Sequence, residues 1–98
     1  MILLTITAPH REQDWLKGRL QDTVPGDYRM WTSEVQESGP GAPLESTYEQ
    51  VTGAARMVRV QLLLPQADAQ ALIDKLRQGR HPQHVEWMMM PLLEQGVL

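Results

Sequence analysis

Residues 38–65 read SGPGAPLESTYEQVTGAARMVRVQLLLP, and the second half of this stretch decides the fold. From Ala55 to Leu64 the side chains alternate in the period-two pattern of a strand with one apolar face. The face that we expect to meet helices carries Arg56, Val58, Val60, Leu62 and Leu64, and the other carries Met57, Arg59, Gln61 and Leu63. Pro65 is predicted to end this strand.

Three further strands are predicted around it. The run from Ile2 to Ile6 is apolar on both faces, which indicates a central strand that Pro9 ends. Residues 28–35 and 83–90 show the same alternation and predict two more strands. Residues 24–27, VPGD, predict a turn, and residues 92–98 form a tail that is a candidate short edge strand.

Two helices are predicted between these strands. Residues 11–20 form the first, with Trp15, Leu16 and Leu20 as its buried stripe. The second follows Pro65, with Asp68 as its cap and Gly79 just beyond its end. Its buried positions follow the amphipathic spacing i, i+3, i+4, i+7 and are Ala69, Leu72, Ile73 and Leu76.

The order β-α-β-loop-β-α-β predicts an α+β fold, the ferredoxin-like sandwich of a four-stranded antiparallel sheet with two helices on one face. We expect a single domain over residues 1–98. The helices leave one face of the sheet bare, and because such apolar surfaces usually meet a partner, we expect a homo-oligomer. Candidates for that face are Leu3, Trp31, Met57, Leu63, Met88 and Met90.

Composition excludes several classes of function. The chain has 98 residues and no cysteine, which rules out disulfides, thiolate metal sites and a cysteine nucleophile. The net charge of −3 and the lack of a basic stripe argue against nucleic-acid binding. The start, MILLTITAPH, lacks the pattern of a signal peptide, and no apolar run approaches the roughly 20 residues of a transmembrane helix. We therefore expect a cytoplasmic protein.

Few residues suggest chemistry. His81 and His84 are weak candidates for a metal site, against the favoured interpretation of solvated turn histidines. Glu45 and Glu49 are either solvated charge or a cation site. Arg56 either meets an anion or, as a strand-end arginine, faces water or pairs with Glu34. The run from Trp87 to Met90 alternates between faces, which favours core or interface over copper binding.

The connection between the two central strands, residues 38–54, is predicted to be irregular. Its SGPGAP segment lacks the Lys and the Ser or Thr of a phosphate-binding loop, and its prolines remove amide donors. Polar, Gly- and Pro-containing segments can order on binding, which allows them to act as switches.

The second half of the chain resembles the DUF3240 family, a branch of the PII-like superfamily. The resemblance rests on YEQVTGAARMVRVQLLLPQADAQALIDKLRQ and VEWMMMPLLEQGVL, with their EQV-G segment, a strand ending in LLP, and a closing P-LE-G-L pattern. It implies a ferredoxin-like homotrimer with inward-facing sheets. Residues 38–54 would correspond to the T-loop, which changes shape when a ligand binds between subunits and then docks on a partner.

The same resemblance implies a function without catalysis and without a cofactor. The expected ligand is an adenine nucleotide or a divalent metal, and the expected partner is a membrane transporter, with heavy-metal efflux systems as candidates. The implied ligand-binding residues are Tyr48, Glu49, Gln50, Gly53 and Arg56.

Two alternatives stay open at this point. One is a small cofactor-independent enzyme on a dimeric ferredoxin-like fold, of the monooxygenase type, which the absence of asparagine disfavours. The other is a metal-tolerance protein that binds metal through His81, His84 and Glu86 across a trimer.

Overall fold

The structure, a computed structural model, describes residues 1–24 and 28–98. Its strands are β1 (Ile2–Pro9), β2 (Met30–Ser38), β3 (Ala54–Leu64) and β4 (Glu86–Pro91). Its α-helices are α1 (Gln13–Thr23), α2 (Thr47–Thr52) and α3 (Gln66–Arg77), and a 3-10 turn over His10–Glu12 precedes α1. All strand pairs are antiparallel in the order β2-β3-β1-β4. The predicted ferredoxin-like α+β fold and the central place of β1 are confirmed.

The core lies between the sheet and the two long helices. The register aligns Leu4 with Leu62 and Ile6 with Val60, so these side chains share one face and are fully buried. The helices contribute the predicted stripes, Leu16 and Leu20 from α1 and Ala69, Leu72, Ile73 and Leu76 from α3. Trp15 is only partly buried and packs at the margin of this core.

Several predicted boundaries were wrong by a few residues. β2 runs from Met30 to Ser38 and not from residue 28 to residue 35. β4 begins at Glu86 and not at residue 83, because His84 lies in a turn and adopts a positive φ of 64°. The candidate edge strand is wrong too, since residues 92–98, all described, form none. The turn predicted for residues 24–27 includes residues 25–27, which lie outside the described residues.

The ends of α3 show one wrong and one confirmed prediction. The helix begins directly after Pro65, and Asp68 lies within the first turn instead of capping it. The carboxylate of Asp68 accepts a hydrogen bond from the Tyr28 hydroxyl, so it fastens α3 to the segment before β2. Gly79 follows the C-cap residue Gln78 with a φ of 76°, as expected for the residue after a helix.

The second face of the sheet lies opposite the two long helices and is mixed, with apolar side chains beside the polar Thr5, Arg59 and Gln61. Trp31, Met88 and Met90 are 42%, 54% and 47% exposed, and Leu3 and Leu63 are half-buried there. Met57 departs from the predicted set because it is buried at 2%, between Pro9 and Val35 on the neighbouring strands. We call Leu3, Trp31, Leu63, Met88 and Met90 the open face.

Truncating the centre of the sheet should be costly. Leu62 is fully buried between Leu4 and Met30 in the register, so Leu62→Ala should lower the free energy of unfolding by about 2–5 kcal/mol. The fully exposed Leu93 is the control, and Leu93→Ala should change that energy by less than about 0.5 kcal/mol. Urea denaturation measures both, and equal effects would contradict the assigned core.

Candidate ligand site at the β2–β3 connection

The β2–β3 hairpin extends beyond the rest of the sheet. β1 ends opposite β3 at the Pro9–Met57 pair, whereas β2 and β3 stay paired as far as Ser38 and Ala54. The hairpin therefore overhangs β1 by the pairs Gln36–Arg56, Glu37–Ala55 and Ser38–Ala54. The connection between the two strands starts from this overhang, which places it at one end of the sheet.

The connection is more ordered than the sequence analysis expected. The prediction of an irregular segment is wrong for residues 47–52, which form the six-residue helix α2. The Ser46 hydroxyl caps α2 by accepting a hydrogen bond from the Glu49 N–H, and the Glu49 carboxylate accepts one from the Ser46 N–H. Gly53 ends the helix with a φ of 73°. The signal that could have revealed α2 is the capping-box pattern S-x-x-E over residues 46–49.

Glu49 clamps the connection to β3. Its Oε2 accepts the backbone N–H of Arg56 at 2.6 Å, and its Oε1 accepts the N–H groups of Glu45 at 2.8 Å and Ser46 at 3.1 Å. The residue is only 8% exposed. These donors, Arg56 first and then Glu45 and Ser46, hold the pKa of Glu49 below its usual value of 4.5. The Glu49 carboxylate thus connects α2 to residues 45–46 and to Arg56 of β3.

Two clefts flank the base of the connection. One, of about 190 Å³, lies between the end of β1 and the start of α2 and is lined by Pro9, His10, Arg11, Pro43, Glu45, Ser46, Glu49 and Arg56. The other, of about 220 Å³, faces the β2 side and is lined by His10, Glu34, Val35, Gln36, Arg56 and Met57. His10 and Arg56 border both clefts, so we treat the two as one candidate site.

The site contains two close pairs, while Glu49 and Arg56 form no ion pair with a described residue and the Arg56 charge acts on the Glu49 carboxylate. His10 Nε2 lies 2.7 Å from Glu34 Oε1, and Arg11 forms an ion pair with Glu45. The alternative of an Arg56–Glu34 pair is therefore wrong, because Glu34 contacts His10 instead. The Arg56 guanidinium forms no ion pair with any residue that the structure describes, although its backbone N–H is held by Glu49. A guanidinium that lines a cleft without an ion pair favours an anionic ligand.

The predicted ligand-binding residues fall into two groups. Glu49 and Arg56 line the clefts, whereas Tyr48 and Gln50 are exposed on α2 and Gly53 ends that helix. Sequence reasoning missed His10 and Arg11 as members of the site. Their signal was available, because antiparallel pairing of β1 with β3 brings the residues after Pro9 next to Arg56.

The histidines proposed as metal ligands do not form a cluster. His81 and His84 lie in the connection between α3 and β4, and His81 Nδ1 lies 3.1 Å from the carbonyl oxygen of Pro82. Across residues 1–24 and 28–98, no group of three or more histidine and carboxylate side chains could hold a metal ion. Within the same ranges, no helix is long and apolar enough to cross a bilayer.

Comparison with known proteins places the whole chain in one family. Residues 1–98 match DUF3240, described as a protein of unknown function. The crystal structure of a DUF3240 family protein from Shewanella baltica OS155 is similar with a TM-score of 0.65 at 16% identity, over 99% of this chain and 94% of that chain. None of the curated proteins matches this chain.

A second solved structure shares the fold. The Bacillus cereus protein related to NIF3 is similar with a TM-score of 0.64 at 17% identity, over 98% of this chain but only 26% of that chain. The same fold therefore occurs as part of a larger protein. At these identities both structural matches show the fold alone.

The Glu49 carboxylate should titrate below pH 4.5 in the folded protein, because three backbone donors stabilise its charged form. Its stabilising contribution is complete above the unfolded pKa and is lost as the pH falls through the lower folded pKa. NMR of the side-chain carboxyl carbon, compared with the urea-denatured protein, measures both values. A folded midpoint at or above the denatured one would contradict the clamp.

Proposed function

We propose a function for this chain on the premise that it belongs to the DUF3240 family: it is a non-enzymatic sensor or adaptor of the PII-like type. It assembles as a homotrimer, binds a small anionic ligand of the adenine-nucleotide class between subunits, and docks on a partner through the β2–β3 connection. A membrane transporter of a heavy-metal efflux system is the proposed partner. The observation that carries the proposal is the exposed Arg56 guanidinium at the base of that connection, which lines both clefts and forms no ion pair with a described residue.

Charge and donor chemistry favour an anion as the ligand. Arg56 offers a planar set of N–H donors that matches phosphate or carboxylate oxygens in pairs. A divalent metal is the poorer candidate for this cleft, because Glu34 already contacts His10, Glu45 forms an ion pair with Arg11, and Glu49 accepts three backbone N–H groups.

The size of the site supports a position between subunits. The two clefts measure about 190 and 220 Å³, and pockets that enclose a small molecule usually measure roughly 300–1,000 Å³. Each cleft is therefore too small to enclose a nucleotide by itself. A neighbouring subunit would supply the missing wall.

The open face supports the assembly. Trp31, Met88 and Met90 are large, apolar and 42–54% exposed on a sheet face that no helix covers. Burial of such a patch against other copies would remove apolar area from water, which is the main favourable term in association. We propose that the open faces of three subunits meet at the centre of the trimer.

The connection supports a docking role. Tyr48 and Val51 are 70% and 81% exposed on α2, while Glu49 on the same helix holds the backbone of Arg56. An anion bound by the Arg56 side chain would therefore act on the residue to which α2 is fastened. In this way, binding of a ligand at Arg56 would shift α2 and the exposed side chains of Tyr48 and Val51.

Removing the Arg56 charge should weaken ligand binding. With ATP, the wild-type trimer is expected to gain up to three nucleotides in native mass spectrometry, and Arg56→Gln should weaken binding at least about tenfold, the typical value of one charged hydrogen bond. Arg80→Gln, which also removes an arginine without a described ion partner, should bind like the wild type. Equal affinities for wild type and Arg56→Gln would contradict the assigned site.

Two single substitutions to glutamate test whether the open face, and not α2, holds the trimer together. Met88→Glu places a charge on the open face, at the edge strand β4, and should convert the trimer to monomer, because an unpaired buried charge is strongly unfavourable. Val51→Glu alters only the exposed side of α2 and should leave the trimer intact. Size-exclusion chromatography with light scattering measures both masses. A Met88→Glu trimer, or a wild-type protein that is not trimeric, would contradict this assembly.

A further inference from the structure

A larger cavity lies on the opposite face of the sheet from the open face. It has a volume of about 430 Å³ and is bordered by α1, by α3, and by the β1 and β4 residues that face the helices. Its apolar lining consists of Ile6, Trp15, Ile73, Leu76, Val85 and Trp87. Its volume lies within the range of roughly 300–1,000 Å³ that is typical of small-molecule sites.

The lining of this cavity suits a flat apolar ligand. Trp15 and Trp87 supply two indole rings, and Trp87 remains 40% exposed although it faces the helix layer. Ring systems pack favourably against indoles in offset or edge-to-face geometry. Ile73 and Leu76 are buried residues of α3 that form the wall between them.

The charges at the cavity are positive. Arg77 lines it and lies over the Trp87 ring at 5.7 Å, and its ion pair with Asp74 is long at 3.9 Å. An adjoining cavity of about 510 Å³ shares Trp15 and His81 and adds Arg80. The one acidic residue there is Glu12, whose carboxylate lies 3.5 Å from the Arg11 guanidinium. The entrance is thus cationic in a chain whose net charge is −3.

We propose that this cavity binds a small planar aromatic carboxylate. The ring system lies between Trp15 and Trp87, and the carboxylate meets the guanidinium of Arg77, with Arg80 and His81 at the entrance. An aromatic amine is disfavoured by the same cations, and an inorganic anion would leave the indole surfaces unfilled. The proposal stands on the single protomer and is independent of the Arg56 site and of the trimer.

The test uses 2-naphthoate as the probe and the intact chain. Isothermal titration calorimetry measures affinity, and NMR of the indole N–H groups reports the location. We expect binding that shifts the Trp15 and Trp87 signals but not that of Trp31. The uncharged 2-naphthamide, which keeps the ring system and loses the charge, should bind at least about tenfold more weakly.

Two variants decide the role of Arg77. Arg77→Gln should weaken 2-naphthoate at least about tenfold and bring its affinity close to that of 2-naphthamide. Lys17→Gln, which removes a positive charge from an exposed position of α1, should leave it unchanged. Circular dichroism checks that both variants stay folded.

Three results of the ligand titrations would overturn the proposal. They are no binding of 2-naphthoate at millimolar concentration, equal affinity for the acid and the amide, or signal shifts confined to residues around Arg56. Indole shifts that follow protein concentration without any ligand would also overturn it, since they would identify this face as a contact between copies of the chain.

Discussion

The carboxylate of Glu49 is the constraint on which the candidate site depends. β1 ends at Pro9, so the backbone N–H of Arg56 lies just beyond the last β1–β3 pair. Glu49 Oε2 accepts that N–H, and Oε1 accepts those of Glu45 and Ser46. A side chain thereby continues the hydrogen bonding of the sheet into the connection. Without it, α2 would keep only the Ser46 hydroxyl cap and a few contacts with β3 to hold its place.

The Glu49 clamp links three features of the site, namely the Arg56 side chain, the Arg56 backbone and the exposed side of α2. The Arg56 side chain is left free to meet an anion while its backbone is fixed, and α2 presents Tyr48 and Val51 outward from the same anchor. A helix of six residues is marginal by itself, so its position depends on its few contacts. The connection is therefore ordered through few contacts, which is the basis of the proposal that a bound ligand shifts it.

The fold was accessible from the sequence, and the site only in part. The alternation over residues 55–64 and the helical spacing from Ala69 to Leu76 indicate directly which side chains are buried. The sheet, the core and the open face could therefore be predicted from the sequence. The sequence does not clearly predict α2, because the two prolines and two glycines in residues 39–43 indicate an irregular segment and outweigh the short capping box of Ser46 and Glu49. The pairing of Glu34 with His10 depends on how two distant segments meet, and local pattern does not reveal it.

Hydrogen exchange of the backbone amides, with and without ATP, tests the central claim most directly, namely that an anion at Arg56 alters the segment that Glu49 holds. The account predicts that saturating ATP changes the exchange of the Arg56 amide and of the amides in residues 45–52, while the amides of the β1–β3 centre stay as they were. Unchanged exchange across residues 45–56 at millimolar ATP would contradict it.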